Sequence, residues 1–257
     1  MVPVLFTIAG VPVYSYGFFF ALALLSGGGL LVAEARRRRW PKEEVIPITL
    51  AAFVGGMVGA RVSILFFNGL ATARESLDLY TFFDPRIGPG SILGAVAGAY
   101  IGGYIASKAI GKDSCACDAF APAMALAMGV GRIGAFLAGV DGLGKPTDLP
   151  WGVTLPGLEY AVHPTPLYDA AFNFMWLAIL LLLRDHRRMQ SGNLLKFGLL
   201  GYLVFRFFNE FLRTNRVIAI GLTGQQFFSL GLAIGVGVYL LRAMRRTTES
   251  VSRILPI

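Results

Sequence analysis

Two arginines and a glutamate interrupt an apolar run near the carboxyl-terminal end of the chain. Arg206, Glu210 and Arg213 are spaced by four and three residues, so a helix would place all three on one face. Burying such groups in hydrocarbon costs about 2.5–3.5 kcal/mol each on insertion scales, which makes the cluster a candidate functional site. The alternative is that the helix ends near Glu210 and that Arg213 only reaches out to the membrane interface.

Further arginines favour the functional interpretation, because Arg61 and Arg132 interrupt two other apolar runs. Guanidinium is always charged, and its planar fork binds phosphate through two parallel hydrogen bonds. A phospholipid headgroup that enters sideways from the outer leaflet would suit such residues. Transport of an anion would use similar residues and stays open at this point. A voltage sensor would need an arginine at every third position of one helix, and that spacing is absent.

The composition indicates that the helices carrying these side chains lie in a membrane. The 257 residues are 55% hydrophobic and only 15% charged, and the mean hydropathy is +0.64, which is typical of an integral membrane protein. We therefore predict an all-α membrane protein of about seven transmembrane helices in a single domain, residues 1–257, each helix with about 20 residues. The predicted spans are residues 13–35, 45–67, 91–110, 119–138, 166–183, 194–212 and 222–241.

Basic residues alternate with the predicted spans and indicate an orientation. Short cytoplasmic loops collect lysine and arginine, which predicts an outer amino terminus and an inner carboxyl terminus. The basic groups assigned to the inner side are Arg36 to Arg39 with Lys42, Lys108 and Lys112, Arg184 with Arg187 and Arg188, and Arg242 with Arg245, Arg246 and Arg253. The net charge of +8 is then explained by contact with anionic membrane lipids, and no nucleic-acid partner is expected.

The sequence gives no reason to expect a metal or another cofactor. Cys115 and Cys117 lie at the start of the fourth span without neighbouring ligands, and the two histidines, His163 and His186, fall on opposite predicted sides of the membrane.

The longest outer segment, residues 139–166, is expected to form a small head over the arginine site. Its prolines and glycines exclude a continuous helix, and Trp151 and Tyr160 suit the level of the lipid headgroups. Residues 69–91 would form a second outer loop. Most closely spaced glycines in the spans are expected to serve helix packing. The exceptions are Gly131 and Gly134, which flank Arg132. Here the exposed backbone and the guanidinium group would both face a ligand.

Several segments in order along the chain resemble one enzyme family. They are Tyr16-Gly17, Gly59-Ala60-Arg61, Cys117-Asp118 with Pro122, Gly131 to Gly134 with Phe136 and Gly139, Thr147 to Val153, His163 to Tyr168, the Arg206, Glu210 and Arg213 set, and Leu222-Thr223 with Gln226. Together they cover residues 10 to 240 and look like prolipoprotein diacylglyceryl transferase. That resemblance implies a multi-pass enzyme of the bacterial inner membrane. It would move the diacylglyceryl group of phosphatidylglycerol onto the lipobox cysteine of a preprolipoprotein, in lipoprotein biogenesis.

The resemblance also implies roles for particular residues. Arg132 and Arg206 would grip the phosphate, and Glu210 would hold them in place, which makes these three the expected catalytic residues. The expected substrate contacts are Tyr16, Arg61, Gly134, Gly144, His163, Tyr168, Arg213 and Gln226. His163 is expected to secure the head by hydrogen bonds and not to act as general base, because two prolines fix its segment as an extended turn.

The chain departs from the family's pattern at three places. Pro89-Gly90-Ser91 stands where the family has a histidine and two glycines, and Ala135 and Ala138 replace two asparagines. Val140 and Asp141 stand where the family has a glutamate soon after these asparagines. Either the arginines lower the pKa of the substrate thiol and another group, such as Glu210 or Tyr16, takes its proton, or the chain is a catalytically impaired lipid-binding homologue. An anion or lipid transporter is the third alternative, although no internal repeat supports it.

Overall fold

The computed structural model of the chain describes residues 2–8, 10–68, 92–111, 116–139, 144–155, 158–186 and 192–254. Among these residues it contains seven α-helices: α1 (Ser15–Arg37), α2 (Lys42–Asn68), α3 (Ile92–Ala109), α4 (Phe120–Ala138), α5 (Thr165–Leu183), α6 (Asn193–Asn209) and α7 (Gly224–Ile254). Their bounds lie close to the seven predicted spans, apart from the longer α7. The predicted outer loop of residues 69–91 lies outside the described residues, and so do Pro89 to Ser91.

Five of the seven helices are long and apolar enough to cross a membrane: α1, α4, α5, residues Lys42–Ser63 of α2 and residues Gly224–Arg242 of α7. Helix α6 has only 17 residues and ends at Asn209, where a 3-10 turn, Glu210–Leu212, continues the apolar run. The alternative interpretation of the sequence was therefore right that the α-helix ends near Glu210. It was wrong about Arg213, whose side chain is buried and does not reach out to an interface.

Three short antiparallel hairpins accompany the helices, which the expectation of an all-α fold did not include. They pair β1 (Val4–Ile8) with β2 (Val11–Tyr14), β3 (Val153–Thr154) with β4 (Ala161–Val162), and β5 (Val217–Ala219) with β6 (Leu222–Thr223). Each hairpin lies directly before a helix or, for β3 and β4, within the predicted head.

The chain forms two compact units. One unit, Ala33–Cys117, contains α2 and α3. Glycines allow these two helices to touch through their backbones: a Cβ atom on Gly98 would lie 2.1 Å from the carbonyl oxygen of Gly55, and one on Gly59 would lie 2.2 Å from that of Gly94. The prediction that these glycines serve close helix packing is confirmed.

The other unit, Met1–Val32 with Asp118–Ile257, contains the remaining helices and all three hairpins. In this unit α5 and α6 pack through stacked aromatic rings. Phe172 and Phe205 stack with ring centroids 4.1 Å apart, and Trp176 donates a hydrogen bond of 3.0 Å to the carbonyl oxygen of Gly198. The close approach of Trp176 requires Gly201, where a Cβ atom would lie 2.0 Å from the indole. This ladder of rings fixes α5 against α6 beside Arg206.

The amino terminus of α6 is capped from a distant part of the chain. Asp118, just before α4, accepts hydrogen bonds from the backbone N–H groups of Gly192 at 2.7 Å and Leu195 at 3.0 Å. A carboxylate in this position satisfies donors that the helix itself cannot pair and also suits the helix dipole. It therefore supports the start of the helix that carries Arg206.

Candidate functional site

A carboxylate that the sequence analysis did not assign lies at the centre of the candidate site. Asp169, near the start of α5, has a fully buried side chain. Its Oδ2 atom lies 3.4 Å from Nε of Arg132, 3.9 Å from Nη1 of Arg206 and 3.9 Å from Nη1 of Arg213. Arg132 comes from α4, and Arg206 comes from the last turn of α6. Three predicted arginines, one from α4 and two from the segment around the end of α6, therefore meet around one carboxylate.

Glu210 is a second carboxylate that forms ion pairs with two of these arginines. Its Oε2 atom lies 2.9 Å from Nη2 of Arg206 and 3.8 Å from Nε of Arg213. Its Oε1 atom accepts hydrogen bonds from Nδ2 of Asn215 at 2.6 Å and from the hydroxyl of Thr223 at 3.0 Å. The predicted i+4 and i+3 spacing thus produces contact, because the 3-10 turn after α6 keeps Arg213 beside Glu210.

The β5–β6 hairpin and the start of α7 complete this arrangement. Thr223 and Gln226 form a capping box: the backbone N–H of Thr223 donates to Oε1 of Gln226 at 2.9 Å, and the N–H of Gln226 donates to the Thr223 hydroxyl oxygen at 3.3 Å. Gln226 also donates to the carbonyl oxygen of Phe207 at 3.2 Å. Next to it, Gln225 accepts a hydrogen bond from Nη2 of Arg206. In these contacts Gln226, predicted to bind substrate, joins α6 to α7.

The site is buried and carries more positive than negative charge. Arg206 is 2% exposed, and its Nε and Nη1 atoms have no hydrogen-bond partner within the described part of the chain. Such N–H groups are available to a ligand, since buried donors otherwise find partners. Burial, followed by the charges of Arg206 and Arg132, lowers the pKa of Arg213 to about 10, so that its guanidinium still carries its proton at neutral pH.

The predicted head packs against this site through its backbone. The N–H of Lys145 donates to the carbonyl oxygen of Leu212 at 2.7 Å, and the N–H of His163 donates to the carbonyl oxygen of Lys145 at 3.0 Å. Gly144 lies between Arg213, with which it forms a β-bridge, and His163, whose carbonyl oxygen would be 2.1 Å from a Cβ atom on Gly144. Only glycine fits there, so the contact of Gly144 is with the protein backbone.

His163 takes part in a chain of hydrogen bonds that includes Tyr168. Nε1 of Trp151 donates to the Tyr168 hydroxyl at 2.9 Å, and that hydroxyl lies 3.2 Å from Nδ1 of His163. The Tyr168 hydroxyl accepts from the indole, and it can either donate to Nδ1 of His163 or accept from it, according to the tautomer of the ring. In both cases this hydrogen bond joins the head to the start of α5.

For three other predicted substrate contacts the structure shows no contact with the arginines among the described residues. Tyr16 is exposed and stacks on Phe20 in α1. Gly134 packs against α1, because a Cβ atom there would lie 2.3 Å from Cβ of Phe19. Arg61 belongs to α2 in the other compact unit, and its predicted role stays a prediction.

Asp169 was missed although the sequence contained a usable indication. It lies within the fifth predicted span, and the rule that singled out Glu210, a carboxylate inside an apolar segment, applies to it equally. The partners of Glu210 were harder to find, because Asn215, just before β5, and Thr223, in β6, meet Glu210 only once the chain folds back. Within the described residues, no group of three histidine, cysteine, aspartate or glutamate side chains could hold a metal ion.

Comparison with known proteins identifies the family. The family model described as prolipoprotein diacylglyceryl transferase matches residues 3–242. The phosphatidylglycerol–prolipoprotein diacylglyceryl transferase of Clostridium tetani is 32% identical over 260 residues, covering 96% of this chain and 100% of the relative. The enzyme of the same name from Clostridioides difficile is 31% identical, covering 90% and 91%, and that from Pseudoalteromonas atlantica is 27% identical, covering 95% and 90%. The chain therefore belongs to the prolipoprotein diacylglyceryl transferase family.

Proposed function

We propose that this chain transfers the diacylglyceryl group of phosphatidylglycerol to the lipobox cysteine of preprolipoproteins in the bacterial inner membrane. The observation that carries the proposal is the buried set of three arginines, in which Arg206 keeps two nitrogen atoms without hydrogen-bond partners in the described residues. A phosphate group would supply the acceptors that these donors lack. The names of the three relatives support the same reaction.

The reaction forms a carbon–sulfur bond while a carbon–oxygen bond breaks. The cysteine thiol releases its proton to water, and its sulfur attacks the terminal glyceryl carbon as a thiolate. The carbon–oxygen bond breaks, and the departing phosphate oxygen keeps the bonding electrons. Arg132 and Arg206 hold the phosphate, and their fixed guanidinium groups stabilise the charge that develops on it. The same positive charge favours the thiolate over the thiol, whose ordinary pKa is about 8.5.

Glu210 positions the guanidinium groups in this proposal. One of its oxygens pairs with Arg206 and Arg213, and the other accepts two hydrogen bonds, so both oxygens are already engaged by the protein. Tyr168, His163 and Gly144 hold the head beside Arg213 and thereby shape the approach to the site. Tyr16, exposed at the start of α1, is assigned to the lipid chains.

The proposed placement has seven membrane-spanning helices with the amino terminus outside and the carboxyl terminus inside. The basic residues at the ends of α1, α3, α5 and α7 support this orientation. The arginine site then lies towards the outer leaflet, where a phospholipid would reach it from the side.

Complementation tests the proposal directly. A bacterial strain depleted of its own transferase should grow when it carries this chain and should stop growing when it carries Arg132→Ala. Arg184→Ala is the matched control, because Arg184 lies at the far end of α5, beside Asp185. Purified protein should also transfer labelled diacylglyceryl to a lipobox peptide. A well-folded chain that binds phosphatidylglycerol but transfers nothing would identify a lipid-binding homologue and would contradict the proposal.

A further inference from the structure

The buried charges of the site add up to a single positive charge. Among the described residues of this unit, the buried charged side chains around the site are three arginines and two carboxylates: Arg132, Arg206, Arg213, Asp169 and Glu210. The other buried carboxylate of the unit, Asp118, caps the opposite end of α6. The described buried side chains of the site therefore match a ligand with one negative charge.

Asp169 contributes to this balance in a different way from Glu210. Glu210 accepts hydrogen bonds from Asn215 and Thr223, whereas neither carboxylate oxygen of Asp169 has a hydrogen-bond partner within the described residues. The arginine nitrogens approach Asp169 only to 3.4–3.9 Å, beyond good hydrogen-bond distance for most of them. Asp169 thus removes one unit of charge from the site without accepting a hydrogen bond from these arginines within the described residues.

The substrate and the product of the proposed reaction differ in charge by one unit. A phosphodiester such as phosphatidylglycerol carries one negative charge. Breaking its bond to the glyceryl carbon leaves a phosphomonoester, whose second pKa is about 6, so it is mainly a dianion above neutral pH. With substrate bound the site is neutral, and with product bound it carries one excess negative charge in a buried environment, where uncompensated charge is unfavourable.

We propose that Asp169 sets the charge selectivity of the site, so that it prefers a monoanionic phosphodiester and releases the dianionic phosphomonoester product. This inference rests on the proposed function for the identity of the two ligands. The structure carries it through the central position and full burial of Asp169 and through its lack of hydrogen bonds.

The experiment measures two affinities on the detergent-solubilised full chain. The ligands are a short-chain phosphatidylglycerol and glycerol phosphate, and the proteins are the unaltered chain, Asp169→Asn, Asp169→Glu and the control Asp148→Asn, in which an exposed head carboxylate is replaced. At pH 8, the ratio of the affinity for glycerol phosphate to the affinity for phosphatidylglycerol should be at least about tenfold higher in Asp169→Asn than in the unaltered chain. Asp169→Glu and Asp148→Asn should keep the ratio of the unaltered chain. In the transfer assay Asp169→Asn should lower kcat and KM together, because product leaves more slowly.

A second measurement needs no variant and covers the case in which Asp169→Asn fails to fold. On the unaltered chain, lowering the pH from 8 to about 5.5 protonates glycerol phosphate, and its affinity should rise while that of phosphatidylglycerol stays constant. Equal pH dependence of the two ligands would overturn the inference, and so would an unchanged affinity ratio in a folded Asp169→Asn variant. Asp169→Glu behaving like Asp169→Asn would also overturn it. Loss of transfer with the charge selectivity intact would instead count against the proposed function alone.

Discussion

Replacing Arg206 by lysine tests whether the site needs the guanidinium fork or only a positive charge. Arg206 pairs with Glu210 at 2.9 Å, donates to Gln225 and lies 3.9 Å from Asp169. Lysine keeps the charge, but its compact ammonium group cannot face all three neighbours and a phosphate at the same time. We expect Arg206→Lys to be nearly as inactive as Arg206→Ala.

The size of the effect follows from the contacts that lysine loses. A hydrogen bond to a charged group contributes about 1.5–3 kcal/mol. The lysine variant should lose a hydrogen bond to the protein, a hydrogen bond to the phosphate, or both. Losing two at about 1.5 kcal/mol each gives about 3 kcal/mol, which corresponds to about a hundredfold loss of kcat/KM. The same reasoning applies to Arg132, which also contacts Asp169.

The assay is the transfer of labelled diacylglyceryl from phosphatidylglycerol to a lipobox peptide in detergent, with thermal unfolding of each variant measured in parallel. Arg184→Lys serves as the control, since it makes the same chemical change at the far end of α5. If Arg206→Lys retained kcat/KM within threefold of the unaltered chain, charge alone would suffice and the two-pronged grip on phosphate would be refuted.

Three further variants examine the supports of the site. Glu210→Gln should destabilise the protein by about 3–5 kcal/mol, because it leaves buried arginines without their counter-charge, and thermal unfolding measures this; an unchanged Tm would contradict the pairing. His163→Gln should keep transfer within about tenfold with an unaltered pH profile, and a loss of several orders of magnitude with the fold intact would show that the histidine is the base. Gly201→Ala should cost about 1–3 kcal/mol and alter tryptophan fluorescence, because its methyl group displaces Trp176; Gly231→Ala, where nothing lies within 4 Å, is the control and should change neither.

Much of the helical architecture could be predicted because membrane spans depend on local properties. The seven apolar runs correspond to seven helices, and five of these are long and apolar enough to cross a membrane, since length and hydropathy are properties of each segment by itself. The grouping of Arg206, Glu210 and Arg213 was predictable for the same reason, because their spacing fixes their relation within one continuous segment. Orientation in the membrane stays a prediction.

Contacts between distant parts of the chain were not predictable in this way. Nothing local to Thr223 indicates that its hydroxyl donates to Glu210, and nothing local to Trp151 indicates its hydrogen bond to Tyr168. Gly134 illustrates a different limit: the sequence showed a small residue beside Arg132, but only the structure shows that Phe19 fills the space. The sequence shows which side chains are present, and tertiary packing decides which of them come into contact.

Both ends of helix α6 are stabilised by residues from other segments, one synthesised before the helix and one synthesised after it. Asp118, which pairs with its first N–H groups, leaves the ribosome before it, whereas Thr223 and Gln226, which fix its last turn and Glu210, leave after it. A nascent chain stopped before residue 223 would therefore hold Arg206 and Arg213 beside a glutamate without its hydroxyl partner. The arginine site is consequently a late product of assembly, and a truncated chain would insert its earlier helices without acquiring a finished site.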